Sequence, residues 1–248
     1  MGSGFVGAGL GEIGPYRPTP AACRPPQIAD LAAPVHSRAS GAVRDHRRMS
    51  LDHLRHLRQA QEDFLALLPD ADPRVPVPWC GRWTVRDLAV HLARIHHWAA
   101  GQARRTSETP LGRGPFDLPE LYGRCAAELR AVLDELSPQA PAWTLDGDGL
   151  VSFWHRRQLH ETLVHLWDLR AALAVAAAAG TRRAGGGAGV RAPADAPIPG
   201  LDLSWSEVAA PEVWADTVDE VVTVMYPRQV RLGRCTPLPA ALTLTASD

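Results

Sequence analysis

The clearest pattern in the chain is a series of apolar residues at helical spacing that begins near residue 50. Apolar side chains that recur every three or four residues line one face of a helix. The spacing predicts helices over residues 51–69, 117–136 and 151–178, and another that begins after Thr84. Four amphipathic helices in about 130 residues are typical of a four-helix bundle.

Local signals mark where these helices begin and end. Ser50 is a favourable N-cap for the first helix, and Thr84 with Asp87 three residues later is a favourable start for the second. Proline removes a helical hydrogen bond, so the Pro-rich segment 73–78 ends the first helix and Pro138 ends the third. These boundaries agree with the apolar periodicity.

Segments without periodicity flank the predicted bundle. Residues 1–48 are rich in Gly, Pro, Ala and Arg, and we expect this extension to be disordered because it has few side chains to bury. Our hypothesis is that Met49 is the natural start, and a genuine flexible tail is the alternative. Residues 179–205 are predicted to be a flexible linker.

The C-terminal part predicts one more helix and one strand. A helix is expected over residues 211–226, with proline in its first turn, and alternation at 242–245 predicts a strand. The apolar face of this helix needs a cover, so we expect it to dock on the bundle or on a second chain. A single strand also needs partners for its edges.

Charge and composition exclude several function classes. The chain has 248 residues, 26 basic and 27 acidic side chains, and a formal net charge of -1. This balance argues against a nucleic-acid or anionic-membrane binder. Lysine and asparagine are absent, which indicates the codon bias of a GC-rich genome, so the abundance of arginine does not indicate phosphate recognition.

Cysteine usage and hydropathy indicate a cytoplasmic location. The four cysteines lie far apart without a CxxC pair, which fits free thiols in a reducing compartment. No run approaches the roughly 18 apolar residues of a membrane span. The N-terminus lacks the pattern of a signal peptide. We therefore expect a cytoplasmic protein without membrane partners.

The fourth predicted helix carries the strongest candidate chemistry. Glu161 and His165 are four residues apart and project from one face, with Asp168 three residues further on the same side, whereas His160 points away. A carboxylate and an imidazole at this spacing can chelate a metal ion. The alternative is an ordinary contact between two neighbours on a helix surface.

A second imidazole would complete a site with two histidines and one carboxylate. The second predicted helix offers His91, His96 and His97. His91 lies beside the apolar stripe and is expected to face the bundle interior, while His96 and His97 point elsewhere. A serine hydrolase is not supported, because no serine stands in a G-x-S-x-G turn.

Three segments together resemble a known family. They are Trp-Thr-x-x-Asp-Leu-x-x-His at 83–91, Arg-x-x-His-Glu-x-x-x-His-x-x-Asp at 157–168, and an acidic pair, Asp219 and Glu220, at the start of a further helix. The chain resembles the mycothiol-dependent maleylpyruvate isomerase family, within the DinB-like superfamily of metal-binding four-helix bundles. The resemblance covers about residues 50–248.

The resemblance implies a fold and a set of ligands. The fold would be mainly α: a DinB-like bundle over 49–178, followed by a truncated α+β domain of which 206–248 is the N-terminal fragment. The metal ligands would be His91, Glu161 and His165. The metal would be a divalent ion, zinc first, with iron or nickel as alternatives, and mycothiol would be the thiol cosubstrate.

The implied activity is isomerisation of a small electrophile, or transfer of the thiol to it, by a monomer or homodimer. The candidates for catalytic roles are Asp168, which could orient an imidazole, and Arg157 and Arg228, which could hold a substrate carboxylate. The alternatives are a non-catalytic metal-binding or ligand-sensing bundle, a truncated remnant that binds metal without turnover, and non-haem iron chemistry.

Overall fold

The structure is a computed structural model that describes residues 51–184 and 208–239. This part of the chain is mainly helical, as predicted, and its elements are α1 (His53–Leu67), α2 (Val85–Arg104), α3 (Leu118–Glu135), β1 (Pro141–Thr144), β2 (Gly147–Leu150), α4 (Val151–Ala184), α5 (Pro211–Glu220), a π-helical segment (Val221–Met225) and α6 (Tyr226–Arg231). The predicted N-terminal extension, the linker beyond residue 184 and the strand at 242–245 lie outside the described residues.

The helix starts follow from local capping. Thr84 and Asp87 form the predicted capping box at the start of α2. At α1 the prediction was wrong by two residues, because the Asp52 carboxylate, rather than Ser50, accepts a hydrogen bond from the Arg55 backbone amide. Asp117 caps α3 in the same way. A side-chain acceptor therefore satisfies one of the free amides at the start of each of these three helices.

Helices α1 to α4 pack as a bundle around one apolar core. Helix α4 contacts α1, α2 and α3, and α2 also packs on α3. The leucines predicted to form the apolar stripe of α4 are all at most 1% exposed: Leu159, Leu163, Leu166 and Leu169. Full burial of one such side chain stabilises the fold by about 2 kcal/mol. The stripe thus fixes which face of α4 meets the other helices, and with it the direction of the polar face.

A short hairpin between α3 and α4 was not predicted. Strands β1 and β2 pair antiparallel, and Gly147 at the turn has a φ of 106°, which favours glycine. The Asp-Gly pair at 146–147 is the sequence signal that indicates this turn. The indole nitrogen of Trp154 donates to the Trp143 carbonyl at 2.7 Å, which ties the hairpin to the start of α4.

The C-terminal helices extend further than predicted. Helix α5 begins at Pro211 as expected, but the π-helical segment and α6 carry the helical path on to Arg231. The acidic pair at 219–220 therefore lies at the end of α5 and not at the start of a helix. Helix α5 contacts α4 and buries Val213, Thr217 and Glu220. Its predicted apolar face is only partly covered, because Val218, Val221 and Val222 are 44–49% exposed. Helix α4 also continues to Ala184, six residues beyond its predicted end.

Among the described residues one helix segment, Val151–Ala179 of α4, is long and apolar enough to span a membrane, with a mean hydropathy of 1.3. The sequence analysis did not expect such a segment. It is the central helix of the bundle, however, and its polar face carries the charged cluster described below. A core helix of this kind does not indicate a membrane protein.

Candidate metal centre

Three side chains from two helices converge beside the core. Nε2 of His91 on α2 lies 3.2 Å from Oε1 of Glu161 on α4, and Nε2 of His165 lies 3.4 Å from the same oxygen. The imidazole rings of His91 and His165 have centroids 5.1 Å apart and lie nearly perpendicular. The structure thus brings together the three residues that the sequence analysis selected as metal ligands.

The tautomer of His165 is set by a neighbour on its own helix. Nδ1 of His165 lies 2.9 Å from a carboxylate oxygen of Asp168, and a carboxylate can only accept, so Nδ1 carries the proton. In the neutral ring the lone pair is then on Nε2, which faces Glu161. Asp168 occupies the place that the sequence analysis gave it, beside an imidazole that it can orient.

The spacing of the three donor atoms fits a divalent ion. Zinc–ligand distances of about 2.0–2.1 Å in a tetrahedron place neighbouring ligand atoms about 3.3 Å apart. The observed 3.2 Å and 3.4 Å match that separation. The Nε2 lone pair of His165 and the carboxylate oxygen of Glu161 would repel each other at this distance, and a cation between them removes the repulsion. Two imidazoles and a carboxylate suit zinc, iron or nickel.

His91 is held neutral by its surroundings. Burial, with smaller contributions from the charges of His165 and Arg157, lowers the pKa of His91 to about 3. The Trp83 ring packs on it with centroids 4.7 Å apart. A neutral imidazole can ligate a metal ion without first losing a proton.

Arg157 is enclosed by two carboxylates of the protein. Its Nη2 donates to Oε2 of Glu161, and its Nη1 lies 3.2 Å from Oε1 of Glu220 on α5. Burial, with a smaller contribution from the charge of Arg228, lowers the pKa of Arg157, and the pairing with Glu220 opposes this shift. Arg157 therefore contacts two protein carboxylates, and its candidate role in holding a substrate carboxylate stays a prediction.

Arg228 lies on α6, close enough to Arg157 for its charge to contribute to the lowered pKa of Arg157. Burial and the charge of Arg234 lower the pKa of Arg228, while Asp146 raises it. A cation in such a position remains suited to an anionic ligand. No contact in the described residues assigns Arg228 a further role.

Three neighbours of the centre were not selected from the sequence. The loop before α2 supplies Cys80, whose thiol lies 3.6 Å from Asp168, and Trp83. Burial and Asp168 raise the pKa of Cys80 to about 12, so its thiol is not an activated nucleophile. The third neighbour, Glu220, lies within the acidic pair of the family motif, but no local spacing connects it to Arg157.

The other two histidines of α2 are not part of the cluster. The expectation that His96 points away from the bundle interior was wrong, because this side chain is completely buried. Nδ1 of His96 hydrogen-bonds with Oε1 of the buried Gln158 at 2.9 Å. His97 contacts Glu128 through Nδ1 and the Thr109 carbonyl through Nε2. Both rings therefore have structural partners elsewhere.

A second cluster of histidines and a carboxylate joins α1, α4 and α5. One oxygen of Asp216 lies 3.0 Å from Nε2 of His53 and 2.7 Å from Nε2 of His160. The donor set resembles a metal site, but the Arg156 guanidinium donates to both oxygens of Asp216 through Nε and Nη2. A fixed cation bound to the carboxylate disfavours a metal ion there. We interpret this cluster as the polar contact that docks α5.

A cavity of about 370 Å³ lies between the start of α4 and the π-helical segment. Arg157 and Glu220 line it together with Phe153 and Val224. The three candidate ligands do not line this cavity, but Arg157 contacts Glu161 directly. The guanidinium group of Arg157 therefore lies between the cavity and the candidate centre.

The chain matches a known protein family. The family described as the mycothiol maleylpyruvate isomerase N-terminal domain matches residues 54–170, a range that includes α1 to α3, the hairpin and the part of α4 that holds the candidate ligands. No curated protein and no solved structure matches the chain.

Proposed function

Residues 54–170 belong to the family of mycothiol maleylpyruvate isomerase N-terminal domains, and on that premise we propose that the chain is a metal-dependent enzyme that uses the thiol mycothiol on a small electrophilic substrate. The observation that carries the proposal is the convergence of His91, Glu161 and His165, with Asp168 behind His165. A centre with three protein ligands leaves a coordination position open for a thiol.

The roles of the side chains follow from their contacts. Nε2 of His91, Oε1 of Glu161 and Nε2 of His165 would hold the ion, zinc in the first place and iron or nickel as alternatives. When bound, the ion lowers the pKa of a coordinated thiol, so that a thiolate forms near neutral pH. Asp168 keeps the proton of His165 on Nδ1 and so leaves Nε2 free to ligate.

Two outcomes are compatible with this chemistry. In an isomerisation, the sulfur of the thiol forms a bond to one carbon of a conjugated cis double bond, the resulting single bond rotates, and the thiolate leaves as the double bond reforms. In a transfer, the sulfur remains bonded to the substrate and a proton completes the product. The cavity of about 370 Å³ beside Arg157 is of a size that suits a small substrate.

The proposal is tested by metal analysis followed by activity assays. Protein purified without added metal should contain about one divalent ion per chain. Conversion of maleylpyruvate should then require both the ion and mycothiol. His165→Ala should abolish the metal content and the activity, whereas His97→Ala, which removes a histidine bonded to Glu128, should keep both.

The assay also separates the proposal from its rival. A wild-type chain that binds the ion tightly but shows no conversion and no thiol conjugate with any tested electrophile would identify a non-catalytic metal-binding bundle. Equal metal content in the wild type and His165→Ala would overturn the assignment of the metal centre itself.

A further inference from the structure

Glu220 is a buried carboxylate whose ion-pair partner is Arg157. It lies at the end of α5 and is 1% exposed, and Oε1 is 3.2 Å from Nη1 of Arg157. Apart from this ion pair, neither of its oxygens has a hydrogen-bond partner in residues 51–184 and 208–239. Burying a charge in this way is costly, and such an ion pair is weak evidence for a role in stability. Its position relative to Arg157 suggests a different role.

Arg157 lies between Glu220 and the candidate metal ligand Glu161. Its guanidinium is enclosed between Glu220 on α5 and Glu161 on its own helix, and its side chain is 10% exposed. The N–H groups of a planar guanidinium point in fixed directions. A carboxylate bound on one side therefore restrains the directions in which the N–H groups on the other side can donate. Glu161 and Arg157 are four residues apart on α4, which allows this contact in a single helix.

The two oxygens of Glu161 consequently face different partners. Oε2 accepts from Arg157, and Oε1 faces the Nε2 atoms of His91 and His165. A carboxylate that is free to rotate can offer both oxygens to a metal ion, and the second oxygen would then occupy a further coordination position. With Oε2 bound to Arg157, Glu161 offers one oxygen, and the open position remains for the thiol.

Glu220 also balances charge. The Arg157 cation alone would repel a divalent ion held by its neighbour Glu161. Glu161, Asp168 and Glu220 together with Arg157 give the group a net charge of minus two, which matches a divalent cation. Without the carboxylate of Glu220, the group would carry a net charge of minus one and would match a divalent cation less well.

From these contacts we propose that Glu220 is a positioning residue of the metal centre: through Arg157 it restricts Glu161 to a single coordinating oxygen and offsets the guanidinium charge. This inference rests on the proposed function, because it assumes that the three ligands hold an ion. According to this proposal, the geometry of the metal ligands on α2 and α4 depends on a residue of α5.

The test measures zinc affinity and cobalt coordination in isolated full-length protein. Glu220→Gln keeps the shape of the side chain and removes its charge, so zinc affinity, measured by competition with a chelator, should fall about 10–100-fold. The visible absorption of bound cobalt(II) should weaken in the same variant, because four-coordinate cobalt absorbs much more strongly than five- or six-coordinate cobalt. The matched control is Glu212→Gln in the exposed first turn of α5, which should change neither quantity.

Two further variants distinguish positioning from a general structural effect. Glu220→Asp retains the charge but retracts it by one methylene, and should give a smaller loss of zinc affinity. If Glu220 acts through Arg157, then Glu220→Gln should have little additional effect in an Arg157→Gln background. Thermal unfolding of each variant without metal identifies any loss that comes from the fold.

The outcomes separate the two proposals. A wild-type chain that binds neither zinc nor cobalt would overturn the proposed function. A wild-type chain that binds zinc, with unchanged affinity and cobalt spectrum in both Glu220 variants, would overturn the positioning role and leave the metal centre intact. Additive effects of the Glu220 and Arg157 substitutions would also overturn the positioning role.

Discussion

The imidazole of His165 donates from Nδ1 to the carboxylate of Asp168 at 2.9 Å, and both residues lie on the inward polar face of α4. The Asp168 side chain is 11% exposed and that of His165 is 14% exposed, so water competes little for this hydrogen bond. The pair fixes which nitrogen of His165 can ligate. The spacing of three residues on α4 thus places Asp168 where it can orient a candidate metal ligand.

The first prediction concerns this pair. Asp168→Asn retains an oxygen acceptor for Nδ1 of His165 but removes the charge, so we expect zinc affinity to fall about 10–100-fold. Competition with a chelator measures the change. Asp134→Asn, which removes an exposed charge paired with Arg58, is the control and should leave the affinity unchanged. An Asp168→Asn chain with wild-type affinity would exclude a role for this charge.

The second prediction concerns the ligands themselves. His91→Ala and His165→Ala should each lose the divalent ion, because each removes one of three donors. His97→Ala, on the same helix as His91, and His160→Ala, on the same helix as His165, should retain it. Elemental analysis of the purified variants measures the stoichiometry. Loss of the ion in His160→Ala with retention in His165→Ala would move the site to the second cluster.

The third prediction concerns the docking of α5. Asp216 accepts hydrogen bonds from His53, His160 and Arg156. Burial raises the pKa of Asp216, but these hydrogen bonds outweigh burial and hold the pKa well below its usual range. Asp216→Ala should lower the free energy of unfolding by about 2 kcal/mol. Asp219→Ala removes an exposed partner of Arg156 and should cost less than about 0.5 kcal/mol.

Chemical denaturation of metal-free protein measures both free energies. Equal losses in Asp216→Ala and Asp219→Ala would show that the cluster around Asp216 does not hold α5 to the bundle. A change in denaturant dependence of Asp216→Ala would instead indicate that α5 undocks separately from the four helices.

The fourth prediction is a loss of stability in acid that depends on His96. Burial lowers the pKa of His96 from 6.5 to about 4. The hydrogen bond with Gln158 opposes this shift, and the charge of Arg130 adds to it. If Nδ1 donates to Gln158, protonation adds a hydrogen to Nε2, which is buried without a hydrogen-bond partner among the described residues. Since the folded-state pKa is the lower one, the unfolded chain binds the proton first as the pH falls.

The contribution of His96 is therefore complete above about pH 6.5 and is lost as the pH falls towards 4, by on the order of 3 kcal/mol. Denaturation curves at several pH values measure it. His96→Asn keeps a donor near the position of Nδ1 and removes the titration, so the difference between wild type and variant should shrink by this amount over that interval. A constant difference would contradict the prediction.

Local interactions were visible in the sequence. The apolar repeat defines the buried stripe of α4, and the Thr84–Asp87 pair defines the start of α2, because both depend on residues three or four positions apart. The same spacing places Glu161 and His165 on one face of a helix. The helices and two of the three candidate ligands were therefore determined by short-range geometry.

The remaining relationships depend on how the helices pack. His91 reaches Glu161 from a helix 70 positions earlier, and His53 reaches Asp216 across 163 positions. Arg157 was one candidate for holding a substrate carboxylate, and the docking of α5 places the Glu220 carboxylate against it. A buried charge must be compensated by whatever element packs against it, and periodicity does not specify that neighbour. The sequence by itself therefore determined the helices and the donor types, and only the tertiary structure decided which carboxylate compensates which cation.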